Sequence, residues 1–239
     1  MTIQYDGSDF HGWQVQAEGR TIQGDIESAL MSIYPEEKIT LIGSGRTDAG
    51  VHALAQVAHV ELPSHLSPPE LRNALNGNLK RDVRIDSAIE VEDNFHARYS
   101  VTSREYEYHL VKNYSPMTRH YATTLEWDIN LDLLQECAKI LPGEHDFTSF
   151  CKATAEVENK VCTIHTAEWK DAGDKFIFNI RANRFLQHMV RYLVGTMLEV
   201  TRGRYEVKDF SDLVDSNQTK AVVVRAQAQG LFLKKVYYE

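Results

Sequence analysis

Cysteine and positive charge are scarce in this sequence, and long apolar runs are missing. The three cysteines, Cys137, Cys151 and Cys162, show no Cys-x-x-Cys spacing, which argues against a disulfide framework and against a cysteine-based zinc site. No apolar run approaches the ~20 residues that a membrane span requires. The first residues lack the basic start and apolar stretch of a secretory signal. We therefore expect no membrane insertion and a reducing, cytoplasmic location.

The charge balance is acidic. Lys and Arg number 26 against 34 Asp and Glu, so the formal net charge is −8. This balance argues against a protein that coats nucleic acid by bulk charge, although it says nothing about one local cleft. The 239 residues are 43% hydrophobic and 25% charged, a composition typical of globular proteins with a substantial core. The length fits one large domain or two small ones.

Apolar periodicity predicts short strands that alternate with helices. The predicted strands are 2–5, 38–42, 53–62, 83–91, 99–112, 161–169, 175–182 and 231–238. The predicted helices are 22–33, 68–76, 131–141, 183–200 and 207–214. Thr21 is the expected N-cap of the first helix, and Ser67 with Glu70 forms the expected capping box of the second. A soft boundary between two halves falls near residues 95–115.

The densest local signal is the segment Gly43 to Ala53, which joins two predicted strands. Its three glycines at positions 43, 45 and 50 demand unusual backbone angles or a close approach. Arg46 and Asp48 lie between them, so the segment projects one cation and one carboxylate from a sheet. It matches neither a Walker loop nor a dinucleotide fingerprint nor an EF-hand. A plain hairpin whose Asp bonds its own backbone is the alternative.

A second unusual loop follows the first strand, from Tyr5 to Gln14. Binding of a metal by Asp6, Asp9 and His11 is one interpretation, although the usual close-spaced ligand patterns are missing. The favoured interpretation is a loop ordered by two buried aromatic residues, Phe10 and Trp13.

The predicted helix at 183–200 combines an apolar surface with cations. Arg184, His188 and Arg191 recur at i, i+4 and i+7 and would form one stripe. Such a stripe must meet solvent, an anion or a carboxylate, because an unpaired buried charge is costly. The stripe is therefore either solvated, or Arg191 pairs with a functional carboxylate. His188 alone is more typical of a structural histidine.

One predicted strand carries aromatic residues at alternate positions. Tyr106, Tyr108 and Leu110 share a face by the period of two. Tyr108 is expected in the core. Tyr106 is either a core residue or a ring that stacks on a base, and spacing alone does not separate these two roles.

The sequence resembles the TruA family of tRNA pseudouridine synthases. Gly45-Arg46-Thr47-Asp48-Ala49-Gly50-Val51-His52-Ala53 is similar to that family's catalytic motif. Six further segments agree in order and spacing and extend the resemblance over nearly the whole chain: Tyr5-Asp6-Gly7, Phe10-His11-Gly12-Trp13-Gln14, Arg104-x-Tyr106-x-Tyr108, Gly143-x-His145-Asp146-Phe147-Thr148-Ser149-Phe150, Asn183-x-Phe185-Leu186-x-His188-Met189-Val190-Arg191 and Gly230-Leu231.

The resemblance implies a fold and an activity. The fold is α+β, with two similar halves that form a mixed, largely antiparallel sheet flanked by helices around a central cleft. Residues 1–100 would carry the catalytic Asp loop, and residues 101–239 would complete the cleft. The activity is isomerisation of uridine to pseudouridine at positions 38, 39 and 40 of the tRNA anticodon stem-loop. The expected partners are tRNA and a second copy of the chain in a homodimer, with no cofactor, no metal and no membrane.

The resemblance also implies roles for individual residues. Asp48 would be the catalytic aspartate, Arg191 would pair with it, and Tyr106 would stack on the flipped uracil. Arg46 would lie by the target nucleotide. Further candidates for substrate binding are His52, Arg20 and Arg104.

Three other functions compete with this interpretation. A non-catalytic RNA-binding or tRNA-chaperone module would keep the fold without the reaction, and a paralogous synthase would act on a different RNA. A hydrolase of glycosidic bonds would normally need two carboxylates across the bond, and only Asp48 stands in a suitable loop. Asp48 together with Arg46 and Arg191 therefore favours a synthase.

Overall fold

The computed structural model describes residues 1–63, 66–152, 158–215 and 222–238. Its contacts divide the chain into two compact units, one of Met1–Thr102 with Phe232–Glu239 and one of Ser103–Leu231. Each unit combines strands with helices, and most strand pairs are antiparallel. The predicted α+β class is therefore confirmed. The assignment of functional halves to residues 1–100 and 101–239 stays a prediction.

The strands in chain order are β1 (Thr2–Tyr5), β2 (Ile42–Gly43), β3 (His52–His59), β4 (Val83–Ser87), β5 (Ser103–Val111), β6 (Thr123–Thr124), β7 (Gly143–Asp146), β8 (Val161–Asp171), β9 (Lys175–Ala182) and β10 (Leu231–Tyr237). The helices are α1 (Ile22–Ile33), α2 (Pro68–Asn78), α3 (Leu131–Ile140), α4 (Met189–Thr201) and α5 (Val207–Asp215). Among the described residues, no helix is both long and apolar enough to cross a lipid bilayer.

In the first unit, β1 lies between β4 and β3 and runs antiparallel to both. The short β2 pairs antiparallel with the far end of β3, and β10 pairs parallel with the start of β3. Helices α1 and α2 contact each other, and α2 also contacts β4. Residues of the strands and of both helices share one core, in which the fully buried side chains include Ile3, Ile22, Ile26, Leu30, Leu75 and Ile85.

The helices of the first unit begin where their capping residues predict. The Thr21 hydroxyl accepts the Gly24 N–H at 3.2 Å, and the Glu70 carboxylate accepts the Ser67 N–H at 2.9 Å. Both bonds satisfy backbone donors that the first turn of a helix leaves unpaired. The two predicted helix starts are confirmed because their signals are local.

In the second unit, β9 lies between β5 and β8, and β7 pairs with the other edge of β8. The short β6 runs parallel to β5. Helix α3 packs on β8 and contacts α4 and α5. The core is rich in aromatic residues, and its fully buried side chains include Tyr108, Phe147, Phe150, Phe178 and Phe210.

The prediction of a helix from residue 183 was wrong at its start, because α4 begins only at Met189. His188, its N-cap, has a φ of 65° in the left-handed region. Asn183 instead prolongs the pairing with β8, since its N–H donates to Thr163 O at 3.1 Å. The predicted stripe of Arg184, His188 and Arg191 does not exist, because only Arg191 lies on the helix.

Five strands, β2, β3, β4, β5 and β10, are shorter than predicted, and a local cause is evident for β4 and β2. Strand β4 ends at Ser87 because its partner β1 ends there, with Thr2 opposite Ser87. Beyond that point Ile89 is 71% exposed. The predicted strand at 38–42 is reduced to β2, because the Leu41 N–H donates to the Glu27 side chain of α1 at 3.0 Å rather than to a strand.

Candidate active site

The segment between β2 and β3 forms an ordered turn around Asp48. The Val51 N–H donates to Asp48 O at 3.2 Å, which closes a four-residue turn. Gly50, its third residue, has a φ of 76°, which is the conformation that a type II turn requires at this position. The turn leaves Asp48 half-buried and Arg46 exposed. One carboxylate and one cation are thus presented from a fixed backbone.

The loop that follows β1 holds this turn from the other side. The Trp13 N–H donates to Thr47 O at 3.1 Å, and the Gly50 N–H donates to Phe10 O at 3.3 Å. The hydroxyls of Tyr5 and Thr47 lie 2.8 Å apart in a buried hydrogen bond. The residues on both sides of Asp48 are therefore tied to the 6–20 loop by named bonds.

Close backbone contact explains why position 12 of the second loop is a glycine. Gly12 has a φ of 98°, and a Cβ placed on it would lie 2.6 Å from Thr47 O. Phe10 and Trp13 are each 3% exposed, so the loop is ordered by buried aromatic residues as favoured from the sequence. In the described part of the chain, no three His, Cys, Asp or Glu side chains group as metal ligands.

Gln56 on β3 fixes the segment just before Arg46. Its side chain is fully buried; its Oε1 accepts the Ser44 hydroxyl at 2.6 Å, and its Nε2 donates to Gly45 O at 3.1 Å. The pairing between β2 and β3 ends at Gly43, so the Gln56 amide continues the attachment where the strand ladder stops. Sequence reasoning missed this residue, although a glutamine on a strand of mostly apolar residues is a usable signal.

Arg20 holds the 6–20 loop to the rest of the first unit. Its guanidinium donates to both carboxylate oxygens of Asp82, at 2.5 and 2.9 Å, and to Asp25 at 2.9 Å. It also lies over the Phe10 ring, with Cζ 4.1 Å from the ring centroid. The predicted role of Arg20 in substrate binding stays a prediction, and the structure shows an anchoring role for the loop that supports Asp48.

His52, at the start of β3, is 1% exposed. Its Nδ1 accepts the Gly7 N–H at 3.0 Å, and its ring stacks on Phe232 at 4.6 Å between centroids. These contacts tie the segment that follows the Asp48 turn to β10 and to the loop after β1. Substrate binding by His52 stays a prediction.

In the second unit, Arg191 lies on α4 and is only 9% exposed. Its Nε donates to Ala226 O at 2.9 Å, and its own carbonyl accepts the Ala226 N–H at 2.9 Å. These two bonds fix the guanidinium relative to the helix. The alternative of a solvated stripe is therefore wrong for Arg191.

Strand β5 carries the other two predicted site residues of the second unit. Tyr106 is 9% exposed, and its ring meets the edge of Phe185 at 5.1 Å. Arg104, opposite Ala182 in the β5–β9 pair, is half-buried. Tyr108 is a core residue as predicted: its hydroxyl bonds Thr123 at 2.7 Å, and burial raises its pKa to about 12.

The whole chain was compared with known protein families. A family model described as tRNA pseudouridine synthase matches residues 1–100 and 137–239. The chain belongs to the tRNA pseudouridine synthase family.

Relatives of this synthase family match the chain over its full length. A tRNA pseudouridine synthase A of Brachyspira hyodysenteriae is 42% identical over 244 residues, which covers 100% of this chain and 97% of the relative. The Bacillus pumilus protein of the same name is 40% identical and covers 100% and 98%. The Exiguobacterium protein is 39% identical and covers 100% and 97%.

One solved structure that the chain resembles is a crystal structure of a Cbf5–Nop10–Gar1 complex. The sequences are 12% identical, and the match covers 83% of this chain and 53% of that chain with a TM-score of 0.37. So low a score supports no argument, and the family assignment rests on the sequence matches.

Within this synthase-family chain, the first unit brings together Arg46, Asp48 and His52 on one loop–strand segment, with Arg20 in the loop that contacts it. The second unit places Arg104 and Tyr106 on β5 and Arg191 on α4. The roles of these residues in the reaction stay predictions.

The Gln56 contacts lead to a first expected result for this synthase-family protein. Gln56→Met removes the amide that bonds the Ser44 hydroxyl and the Gly45 carbonyl, so the segment before Arg46 is held less firmly. We expect turnover to fall about 10- to 100-fold while KM for tRNA is unchanged, because misplacement of a reacting group by ~1 Å costs this much. Steady-state kinetics well below the melting temperature measure both constants.

Gln4→Met on β1, where Gln4 is exposed, is the matched control and should retain wild-type kinetics. An equal kcat for Gln56→Met and Gln4→Met would show that the Gln56 amide does not position the segment that carries Arg46 and Asp48 for turnover.

The Arg20–Asp82 pair predicts a pH-dependent contribution to stability. The hydrogen bonds from Arg20 hold the pKa of Asp82 below its ordinary value of 3.8. A carboxyl whose pKa is lowered by folding stabilises the protein above its unfolded pKa, and this contribution is lost as the pH falls through the folded value. Asp82→Asn should therefore lower the unfolding free energy by about 1 to 2 kcal/mol at pH 7, since both partners are partly exposed.

Urea unfolding at pH 7 and at pH 3 tests this prediction. The difference between wild type and Asp82→Asn should shrink at pH 3. Asp86→Asn is the control, because Asp86 and Arg84 form a long, exposed pair at 3.8 Å that should contribute nothing measurable. If Asp82→Asn lowered the unfolding free energy by the same amount at both pH values, the ionised Asp82 carboxylate would not be the source of the stabilisation.

Proposed function

We propose that this chain isomerises uridine to pseudouridine in the anticodon stem-loop of tRNA, at positions 38, 39 and 40. The observation that carries the proposal is the Asp48 turn: Trp13, Phe10 and Gln56 hold its backbone in place. Asp48 itself is half-buried, and Arg46 beside it is exposed. A single preorganised carboxylate beside a cation is the arrangement that this reaction needs.

The chemistry makes distinct demands on these residues. The N1–C1′ glycosidic bond breaks, the uracil turns, and a C5–C1′ bond forms. The proton on C5 leaves to solvent, and N1 takes up a proton, so the product is an isomer of the substrate. We propose that the Asp48 carboxylate starts the cleavage, either as a nucleophile at the ribose or as a base.

The uridine must leave the stacked stem before it can react, at a cost of a few kcal/mol. We propose that Arg46 occupies the space that the base vacates and that the Tyr106 ring stacks on the flipped uracil. Arg46 is exposed, so its side chain is accessible to the RNA. The Tyr106 ring is held in orientation by its edge contact with Phe185. Both observations support these roles.

We further propose that Arg191 pairs with Asp48 and keeps it ionised. The Ala226 carbonyl holds the Arg191 guanidinium, and a cation buried this far is stable only when negative charge compensates it. A positive charge beside a carboxylate favours the ionised form. We also propose that the protein works as a cytoplasmic homodimer without a cofactor, as its similarity to the TruA family implies.

Release of tritium from C5 of labelled uridine in tRNA tests the proposed function. Bond formation at C5 must expel that hydrogen, whereas binding alone leaves it in place. We expect release from tRNA with uridine at positions 38, 39 or 40 and none when these positions carry cytidine. Bound tRNA without release would support the non-catalytic RNA-binding module, and free uracil would support a glycosidic hydrolase.

A further inference from the structure

We infer that the exposed ring of Tyr99 is a stacking platform for a nucleobase of the bound tRNA other than the target uridine. The inference rests on the proposed function, because it needs tRNA as the substrate. Tyr99 is 76% exposed, although it belongs to a tightly bonded turn of the first unit. Aromatic rings held rigidly at a surface are the usual means by which proteins stack unpaired bases.

One face of the Tyr99 ring is already supported. The His96 ring lies 4.3 Å from it between centroids, with an interplanar angle of 29°. The His96 Nδ1 accepts the N–H groups of Arg98 and Tyr99 at 3.1 and 3.2 Å, so the imidazole is held in its orientation. A base would stack on the other face of the Tyr99 ring.

The turn that carries Tyr99 is anchored in the first unit. Ala97 is fully buried; its N–H donates to His59 Nδ1 at 3.0 Å, and its carbonyl accepts the Tyr238 hydroxyl at 2.7 Å. The Ser100 N–H closes the turn on His96 O at 2.9 Å. The turn therefore holds the Tyr99 ring in place at the surface. Binding a base should then cost little conformational entropy, whereas a mobile side chain would lose more.

The charges around the turn favour a base over a phosphate. The Arg98 guanidinium lies 5.9 Å from the Tyr99 ring centroid, and guanidinium groups support stacked bases by cation–π contact. The neighbouring depression is lined by Glu90, Glu92 and Asp93, which repel phosphate. We therefore assign the contact to the face of a base and not to the RNA backbone.

Two substitutions at Tyr99 and one control separate stacking from other effects. Tyr99→Ala removes the ring and should weaken binding of unmodified tRNA about 5- to 50-fold, in line with base–aromatic stacking. Tyr99→Phe keeps the ring and should bind as wild type. Tyr114→Ala is the matched control, since Tyr114 is 68% exposed and stacks on no ring in the described part of the chain.

Fluorescence titration with tRNA over a range of salt concentrations is the measurement. The loss with Tyr99→Ala should be the same at every salt concentration, because no phosphate contact is removed and the slope of log K against log salt is kept. The rate of tritium release at saturating tRNA should also be kept.

Unchanged tRNA affinity in Tyr99→Ala would overturn the inference. An equal loss of tRNA affinity in Tyr99→Phe, which keeps the ring, would also overturn it. A shift in sedimentation behaviour of Tyr99→Ala without a loss of tRNA affinity would assign the ring to a protein contact and would also overturn it. Failure of the proposed function is distinct, because the wild-type protein would then release no tritium.

Discussion

Asp48→Asn is expected to abolish pseudouridine formation, with a loss of turnover of at least about 10³-fold, as seen when central catalytic groups are removed. Asparagine keeps the size of aspartate but carries no negative charge. It can neither attack the ribose as a carboxylate nor take up a proton as a base. Because the backbone bonds of the turn come from Trp13, Phe10 and Val51, the substitution should leave the loop folded. Tritium release under single-turnover conditions measures the loss.

The control for this experiment is Asp9→Asn, which neutralises an exposed carboxylate of the neighbouring loop and should retain wild-type turnover. Binding of tRNA by Asp48→Asn should be unchanged, since one carboxylate contributes little to the grip on phosphates. Turnover by Asp48→Asn at the rate of Asp9→Asn would remove Asp48 from the reaction.

The second large effect is expected at Arg191. Arg191→Gln removes the cation that we propose to hold Asp48, and turnover should fall about 10²-fold because the carboxylate loses its position. The acid limb of the pH–rate profile should also move to higher pH, since loss of a nearby cation disfavours the ionised form. A purely structural loss would lower the rate without moving that limb.

Arg202→Gln, at the end of the same helix and partly exposed, is the matched control and should leave both rate and profile unchanged. Thermal melts monitored by circular dichroism establish that each variant is folded at the assay temperature. An Arg191→Gln protein with a reduced rate and an unshifted pH profile would contradict the proposed pairing with Asp48.

Local signals predicted much of this fold, because the responsible interactions lie within a few residues. The start of α1 follows from Thr21, and that of α2 follows from Ser67 and Glu70. The two strands β8 and β9 follow from alternating apolar residues, and in the turn between them the Gly173 N–H donates to the Asp171 carboxylate. In each case the bond that decides the structure joins residues that are close in sequence.

The start of α4 was not predictable in the same way. Phe185 and Leu186 continue the apolar period of the helix backwards, but Asn183 pairs with Thr163 on β8 and His188 adopts a left-handed conformation. A bond between residues 20 positions apart therefore overrides the local period. The same cause removed the predicted basic stripe.

The candidate site was predictable in its chemical groups but not in its supports. The spacing of Arg46 and Asp48 between glycines identified the loop. The residues that hold it were not evident, because the Gln56 amide and the Arg20 guanidinium act through partners up to 62 positions away. Arg20 is the clearest case: its side chain bonds Asp25 and Asp82 and lies over Phe10, and no local sequence pattern indicates these contacts.

Mapping of pseudouridine at single-nucleotide resolution is the most direct test of the account. Purified wild-type protein and Asp48→Asn are each incubated with an unmodified tRNA that carries uridine at positions 38, 39 and 40, and the product is treated with a carbodiimide before reverse transcription. The account predicts new stops at those positions with the wild type and none with Asp48→Asn. Stops confined to other positions, or equal stops with both proteins, would contradict it.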